Sequence, residues 1–405
     1  MVVGGSVAGA RTCQALRAAG FGGELLVIEP QRGDPYDRPP LSKAYLQEEV
    51  TRTEIGLIPG GWDSVDAQVI PVAAVALNAS SRSVATSDGG EIEYDGLVIA
   101  TGLSPTALLA SDGQPIGHVI GDIDDADRLR EQLTLGGEVV VVGGGFIAAE
   151  AAAVSRARGL DVTVIHRGEH LLETALGAKV SERISQMHTE SGIKLRPNSR
   201  IASVDRRPRG ARITLDGGER IDADVLIVGL GSSPNTEWLQ GSGVRLADGV
   251  LTDARCRVVG APDVYALGDV ARFYDVHSAQ PRRVGHWTNA ADQATIVAHN
   301  LLNPKDPLGY REAPYFWTDQ LGKKIQVVGH PDPHGHVDLL TFFFNDTATT
   351  EIYTHGDDND CGAVVTFGWP RGMVAARRLM PLDPSTAEMI VTLEDLAARA
   401  PAAAQ

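Results

Sequence analysis

Apolar runs broken by glycine turns set the pattern of this chain. Val2-Val3 leads into Gly4-Gly5-Ser6-Val7-Ala8-Gly9, and a helical stretch continues to Ala19. The run Glu24-Leu25-Leu26-Val27-Ile28 follows and ends at Glu29. The same order recurs about 140 residues later. Glu138-Val139-Val140-Val141-Val142 runs into Gly143-Gly144-Gly145-Phe146-Ile147-Ala148-Ala149-Glu150, an alanine-rich helix reaches about Arg158, and Val162-Thr163-Val164-Ile165 is the next strand. Each copy predicts strand, glycine turn, helix and strand, the βαβ unit that sets a pyrophosphate on a helix N-terminus. Two copies in this context are much more specific than a lone GxGxxG.

Both copies depart from the motif. Ser6 stands at the second glycine of the first, the one that lets backbone approach the pyrophosphate most closely; Ala148 stands at the third glycine of the second, where helix packs on strand. With Gly4 so near Met1, the first strand has room for few residues, which implies a clipped strand or a start placed late. Glu29, 25 positions after Gly4, sits where an acid hydrogen-bonds a ribose diol. The equivalent place in the second unit holds His166-Arg167, a basic pair suited to a 2′-phosphate, with Glu169 three residues on as the competing acid. The expectation is a lean towards NADPH over NADH.

Composition narrows the class. The 405 residues are 43% hydrophobic and 22% charged, ordinary for a soluble multi-domain protein, and the 45 glycines cluster in short loops after apolar runs. A formal charge of −16 argues against a nucleic-acid partner. No apolar run approaches the ~20 residues of a membrane span, and the start carries no basic n-region or cleavage site, so the expectation is cytoplasmic. Three distant cysteines, Cys13, Cys256 and Cys361, argue against a disulfide framework, a structural zinc or a dithiol redox centre. His330, His334 and His336, interleaved with Pro331, Asp332 and Pro333, read as a polar loop, and no metal is expected.

Further motifs carry a family likeness. They are Pro35-Tyr36-Asp37-Arg38-Pro39-Pro40-Leu41-Ser42-Lys43, Ala100-Thr101-Gly102 after the strand 96–99, Val228-Gly229-Leu230-Gly231-Ser232-Ser233-Pro234-Asn235, Val264-Tyr265-Ala266-Leu267-Gly268-Asp269-Val270 and Pro314-Tyr315-Phe316-Trp317-Thr318-Asp319-Gln320. With the two nucleotide turns, the chain resembles the two-dinucleotide flavoprotein reductases that pass electrons from NAD(P)H to a [2Fe-2S] ferredoxin serving bacterial oxygenases. The likeness covers about residues 1–340 and again 361–380.

The resemblance implies an FAD site from Gly4, Ser6, Gly9, Glu29, Arg38, Lys43, Thr101, Gly102, Gly268, Asp269, Trp287 and Trp317. It implies an NAD(P)H site from Gly143, Gly145, Ala148, Glu150, His166, Arg167 and Gly229. Arg38 suits a pyrophosphate as a bidentate cation in a proline-fixed loop. Lys43 would lie near the isoalloxazine, where a cation stabilises developing negative charge. Glu150 would stand by the nicotinamide, bonded to Lys43 or to the carboxamide, and is equally a first-turn acid suited to the helix dipole. Trp287 and Trp317 are ring-stacking candidates, although aromatics of this kind are more often core. Lys43, Glu150 and Trp317 are the expected catalytic group. Hydride transfer needs stacked rings and exclusion of water, so no nucleophile or metal is called for.

The expected fold is α/β, two Rossmann-like dinucleotide-binding domains plus a small α+β C-terminal domain, divided 1–107 (FAD, first part), 108–231 (NAD(P)H), 232–306 (FAD, second part) and 307–405 (interface). An acidic reductase meeting an acidic ferredoxin needs a local basic patch; Arg282-Arg283 and Arg377-Arg378, with Arg371, are available. The family includes monomers and weak dimers. Two other readings stay open, a different acceptor (a rubredoxin, a quinone or a small molecule) and a flavin-binding redox sensor. Residues 341–354 depart from the family pattern. They resemble a translated sequencing-adapter string, or else form a strand and hairpin with Asp357-Asp358-Asn359 as the turn. The tail from Ala397 reads as a frayed helix end.

Overall fold

The computed structural model describes residues 1–261, 263–276, 278–345, 348–356 and 361–398, with backbone alone over 341–345 and 348–350. Its contacts divide the chain into two compact units, Met1–Asp37 with Thr51–Ser104 and Ser232–Pro314, and Arg38–Val50 with Pro105–Gly231 and Tyr315–Gln405.

The first unit is built on a five-stranded sheet. In spatial order its strands are Val264–Ala266, Leu97–Ile99, Val2–Val3, Leu25–Ile28 and Ala67–Ile70, all parallel. The central strand has two residues, as its position near Met1 requires, yet Val2 pairs with Val27 on one side and Val98 on the other. The Met1 amino group continues the pairing with the neighbouring strand by donating to Gly96 O at 2.8 Å. Helices Val7–Ala18 and Trp287–Leu302 pack together against this sheet, with Ala8, Cys13, Leu16, Ala290, Ala294 and Val297 in one core. A three-stranded antiparallel meander, Ala74–Asn78, Ser83–Thr86 and Glu91–Glu93, joins the other face.

The second unit holds the repeat of this grammar. Strands Lys194–Arg196, Asp161–Ile165, Glu138–Val142 and Val225–Val228 form a parallel sheet in that order. The middle two read as near-continuous Val and Ile because a parallel sheet is covered on both faces. Helices Phe146–Ala157 and Glu173–Glu190 cover one face; a meander of Ile201–Arg206, Ala211–Leu215 and Arg220–Ala223 contributes Val204, Ala211 and Ile213 to the core on the other.

The same unit ends in an antiparallel sheet ordered Tyr315–Gln320, Lys323–Gly329, Cys361–Phe367, Ala348–Gly356, Val337–Asn345, with helices Pro370–Leu379 and Thr386–Ala398. The irregular segment is therefore a pair of strands, with Leu340 opposite Ile352 and Phe342 opposite Thr350. The expected turn at Asp357-Asp358-Asn359 and the tail beyond Ala398 lie outside the described residues. Among the described residues no helix is long and apolar enough to cross a membrane.

Candidate functional site

Each glycine turn is shaped by a missing Cβ. At Gly4, φ is +104° and a Cβ would fall 2.2 Å from Ala100 O; at Gly9 a Cβ would fall 1.9 Å from Gly4 O. The helix Val7–Ala18 can cross its own turn only without those side chains. In the second unit Gly143 has φ +127°, and a Cβ there would fall 2.1 Å from Gly229 O. Ala148 fits at the packing position because Gly229 faces it without a side chain: a Cβ on Gly229 would come 2.9 Å from that of Ala148.

The departure at Ser6 has a similar account. Ser6 and its counterpart Gly145 are both helix N-caps in extended conformation, with φ −77° and −87°. A Cβ at Gly145 meets nothing within 4 Å, so this position accepts a side chain without strain. Neither cap makes a side-chain bond to its helix, and neither helix has an acid in its first turn. Both N-termini keep the unpaired N–H groups and positive end that suit a phosphate.

In the first unit Glu29 is tied to the turn. Its Oε2 accepts from Gly5 N–H at 2.6 Å and its Oε1 from Gln31 N–H at 2.9 Å. Thr101 and Gly102 are bound to Asn235: Thr101 Oγ1 donates to Asn235 O at 2.9 Å, Asn235 Nδ2 to Thr101 O at 2.8 Å, and Asn235 N–H to Gly102 O at 3.0 Å. Gly268-Asp269 opens a one-turn helix whose Gly268 N–H donates to Gln293 Oε1 at 2.9 Å. Trp287 donates its indole N–H to Asp37 Oδ1 at 2.5 Å and carries the Arg11 guanidinium 5.5 Å from its ring centre. Burial raises the Asp37 pKa against the pull of that bond.

In the second unit Lys43 meets Glu150, one predicted residue against another. This carboxylate, on the second turn of helix Phe146–Ala157, is 2% exposed. Lys43 Nζ lies 2.9 Å from Oε1, Thr318 Oγ1 donates to Oε1 at 2.5 Å and Ser42 Oγ to Oε2 at 2.5 Å. Burial pushes the Glu150 pKa up; the Lys43 charge is the main opposing influence, followed by the Ser42 and Thr318 hydroxyls. Sequence reasoning missed Ser42 and Thr318. Thr318 lies within the 314–320 motif, beside the aromatic Trp317 to which residue type points. Strand alternation puts Phe316, Thr318 and Gln320 on the buried face and Tyr315, Trp317 and Asp319 on the other. The structure thus brings Lys43 and Glu150 together and sets Trp317 on the face away from them, with Lys324 Nζ 5.2 Å from its ring centre.

Arg38 donates to Gly121 O at 2.9 Å. His166 is buried against Gly144, and neither ring nitrogen makes a well-formed hydrogen bond. Burial lowers its pKa, so at neutral pH the imidazole is uncharged and the positive charge of the pair rests on exposed Arg167. Glu173, not Glu169, turns inward there, accepting from the backbone N–H groups of Glu169 and His170. The arginine pairs differ. Arg282 is held by Ser278 and Asp275, and Arg283 by both oxygens of Asp248 at 3.2 Å. Arg377 lies 4.1 Å from the Tyr315 ring centre, and among the described residues neither it nor Arg378 has a carboxylate within 4.0 Å.

Comparison with known proteins gives this geometry a family. The pyridine nucleotide-disulphide oxidoreductase family model matches residues 1–294, and the reductase C-terminal model matches residues 315–395. The chain belongs to the pyridine nucleotide-disulphide oxidoreductase family. It is 31% identical to rhodocoxin reductase of Rhodococcus erythropolis over 96% of this chain and 91% of that one. The crystal structure of the ferredoxin reductase for the CYP199A2 system of Rhodopseudomonas palustris superposes with a TM-score of 0.90, 27% identity and 98% coverage of both chains. The covalent putidaredoxin reductase–putidaredoxin complex gives a TM-score of 0.87, 25% identity and 98% coverage of both.

This pyridine nucleotide-disulphide oxidoreductase family member has no redox disulfide. Its three cysteines are free and buried, and burial holds the Cys13 thiol up to about 12. The family implies FAD and NAD(P)H, and the residues fit both. The second turn leaves open space at Gly145 that a Cβ would fill, and the first unit buries Asn289 Oδ1, Gln293 Nε2 and Gln31 Nε2 with no partner. Such orphaned groups cost free energy unless a polar ligand meets them. Among the described residues no group of three or more His, Cys, Asp or Glu could hold a metal.

Proposed function

We propose that this chain takes reducing equivalents from NAD(P)H and delivers them singly to a [2Fe-2S] ferredoxin serving an oxygenase. The observation that carries the reading is the buried Lys43–Glu150 pair behind the Gly143 turn, in a chain without a cysteine pair. When bound, the flavin accepts hydride from the nicotinamide and releases electrons one at a time. The chain's own part is to hold and orient. The Gly4 turn, Glu29, Thr101-Gly102 and Gly268-Asp269 would hold FAD; the Gly143 turn, Ala148, Gly229 and Arg167 would hold the coenzyme. Lys43 supplies positive charge, and Glu150 fixes Lys43 and offers an acceptor to the carboxamide. A dithiol-free member has no internal disulfide to reduce, so its electrons pass to an external acceptor.

Arg167, exposed beside an uncharged His166, supports a preference for NADPH. The cations Arg377 and Arg378, without carboxylate partners in the last turn of helix Pro370–Leu379, support an acidic ferredoxin docking at that helix end; Arg282 and Arg283 are already neutralised. The relatives named above as reductases of rhodocoxin and putidaredoxin support this acceptor class. The test is an anaerobic titration of the FAD-loaded protein with NADPH and NADH, followed by cytochrome c reduction through added [2Fe-2S] ferredoxin. Bleaching of the flavin band together with ferredoxin-dependent turnover is expected. A flavin that neither coenzyme bleaches would overturn the reading.

A further inference from the structure

The Glu150 carboxylate is bonded from two directions that differ in origin. Lys43 and Ser42 come from the proline-fixed 35–43 motif, whereas Thr318 comes from the edge strand of the C-terminal sheet, 168 residues away in sequence. That strand is seated on the helix Phe146–Ala157, with Phe316 meeting Phe146 edge to face at 5.2 Å. Thr318 is itself oriented. Gln320 Nε2 donates to Thr318 Oγ1 at 2.9 Å, filling an acceptor position and leaving the hydroxyl proton for Glu150. Gln320 and Thr318 are both within 1% of full burial, so water cannot stand in for either.

We propose that Thr318, oriented by Gln320, is a positioning residue for Glu150, by which the C-terminal domain fixes the carboxylate and its Lys43 partner at the coenzyme site. The inference rests on the reading above that Glu150 and Lys43 act at the nicotinamide. A Glu side chain on a helix has three torsions. Ser42 and Lys43, at the end of the one-turn helix Pro39–Ser42, hold Oε2 and Oε1, and the strand hydroxyl adds a second restraint on Oε1. No bond is made or broken by Thr318; its effect is on where the carboxylate sits and on how readily it takes a proton. The charged group bonded to Glu150 is Lys43. From the helix Glu173–Glu190, His188 meets the neighbouring Ala149 carbonyl at 3.3 Å and is kept uncharged by burial. The C-terminal strand brings the neutral Thr318 and Gln320.

Two measurements test it, on the FAD-loaded protein and on the same protein free of coenzyme. The first is the limiting rate and coenzyme dissociation constant of anaerobic flavin reduction in stopped flow. The second is the pH titration of the protonated-carboxyl infrared band, with E150Q as the blank. T318V is expected to slow reduction about tenfold, the scale of one lost hydrogen bond to a charged group, with binding changed less than about twofold on the same basis. Its carboxyl titration is expected to move upward, and T318S to restore both. T318A, which removes the hydroxyl without added bulk, reads the same if T318V does not fold. A slowed T318V whose titration stays put, or that T318S fails to restore, is a packing effect and overturns the inference. So does a T318V that behaves as wild type while E150Q is slow. If E150Q itself reduces and binds normally, the fault lies with the assignment of Glu150 to the coenzyme.

Discussion

Replacing Lys43 with methionine removes the cation paired with a carboxylate that is 2% exposed. Removing one partner of a buried pair costs about 3–5 kcal/mol when the other charge is left uncompensated. Glu150 keeps two hydroxyl donors, and it can escape the remainder by taking up a proton, so the low end, about 3 kcal/mol, applies. The cost should depend on pH. Burial already raises the Glu150 pKa, and Lys43 is the main influence holding it down, so K43M raises it further. A carboxyl whose folded pKa lies above its unfolded value binds more protons when folded. Its contribution therefore falls as pH rises from the unfolded value near 4.5 to the folded one, and is level beyond. K43M extends that window upward, so its loss should grow as pH rises from the ordinary carboxylate range, and the comparison is made at pH 5 and pH 8. The assay is thermal unfolding of K43M, E150Q and K43M/E150Q at both pH values. A loss of about 3 kcal/mol moves the midpoint by roughly 6–12 °C for a domain of this size. E150Q should return most of it in the double variant, because a neutral amide leaves no buried charge to compensate. A K43M loss equal at both pH values, or one that E150Q leaves untouched, would refute the reasoning.

Three further outcomes follow from particular contacts. R167A should lower kcat/KM for NADPH about tenfold, the scale of a lost charge-assisted bond to a phosphate, and leave NADH nearly unchanged; H166E should push the same ratio further towards NADH, and an unchanged ratio in both would end the coenzyme assignment. G4A, whose Cβ would meet Ala100 O at 2.2 Å in a positive-φ turn, should cost the protein its FAD on gel filtration, whereas G145A, with open space and φ −87°, should fold normally and bind coenzyme more weakly. R377A should raise KM for an acidic ferredoxin several-fold and flatten its salt dependence, because rim charges act mainly on encounter; R282A/R283A should leave both unchanged, since those cations already face Asp275 and Asp248.

The two βαβ units were legible because each needs several signals at fixed spacing: an apolar run, a turn that only glycine can make, and a helix. Even the departures had local reasons, although the reasons lay elsewhere in the chain. Nothing near Ala148 announces that Gly229 makes room for it, and nothing near Ser6 shows that its backbone is unstrained. The pairing of Lys43 with Glu150 was legible through the family resemblance, which sets both residues in recognisable motifs. The site was not legible where a neutral hydroxyl acts. Thr318 and Trp317 are neighbours, and residue type favours the aromatic; only the pleat decides which of them faces Glu150. The charge of His166 was misjudged for a related reason, since a sequence displays an imidazole but not the burial that neutralises it.

The proposed coenzyme site is assembled from two kinds of part. A Rossmann unit supplies the turn and the helix dipole by itself, and both are properties of one stretch of chain. Aiming a carboxylate is a different requirement, because a long side chain loses rotamer freedom only when it is bonded from more than one side. Here the bonds to Glu150 come from the 35–43 motif and from the C-terminal strand, so the coenzyme unit without that strand would keep its turn but lose one of the two restraints on Glu150. A chain cut before Tyr315 should then still bind coenzyme at the Gly143 turn, if it folds, while reducing flavin slowly. Binding lost together with rate would place the role of the C-terminal sheet in holding the fold, with no separate part in aiming Glu150.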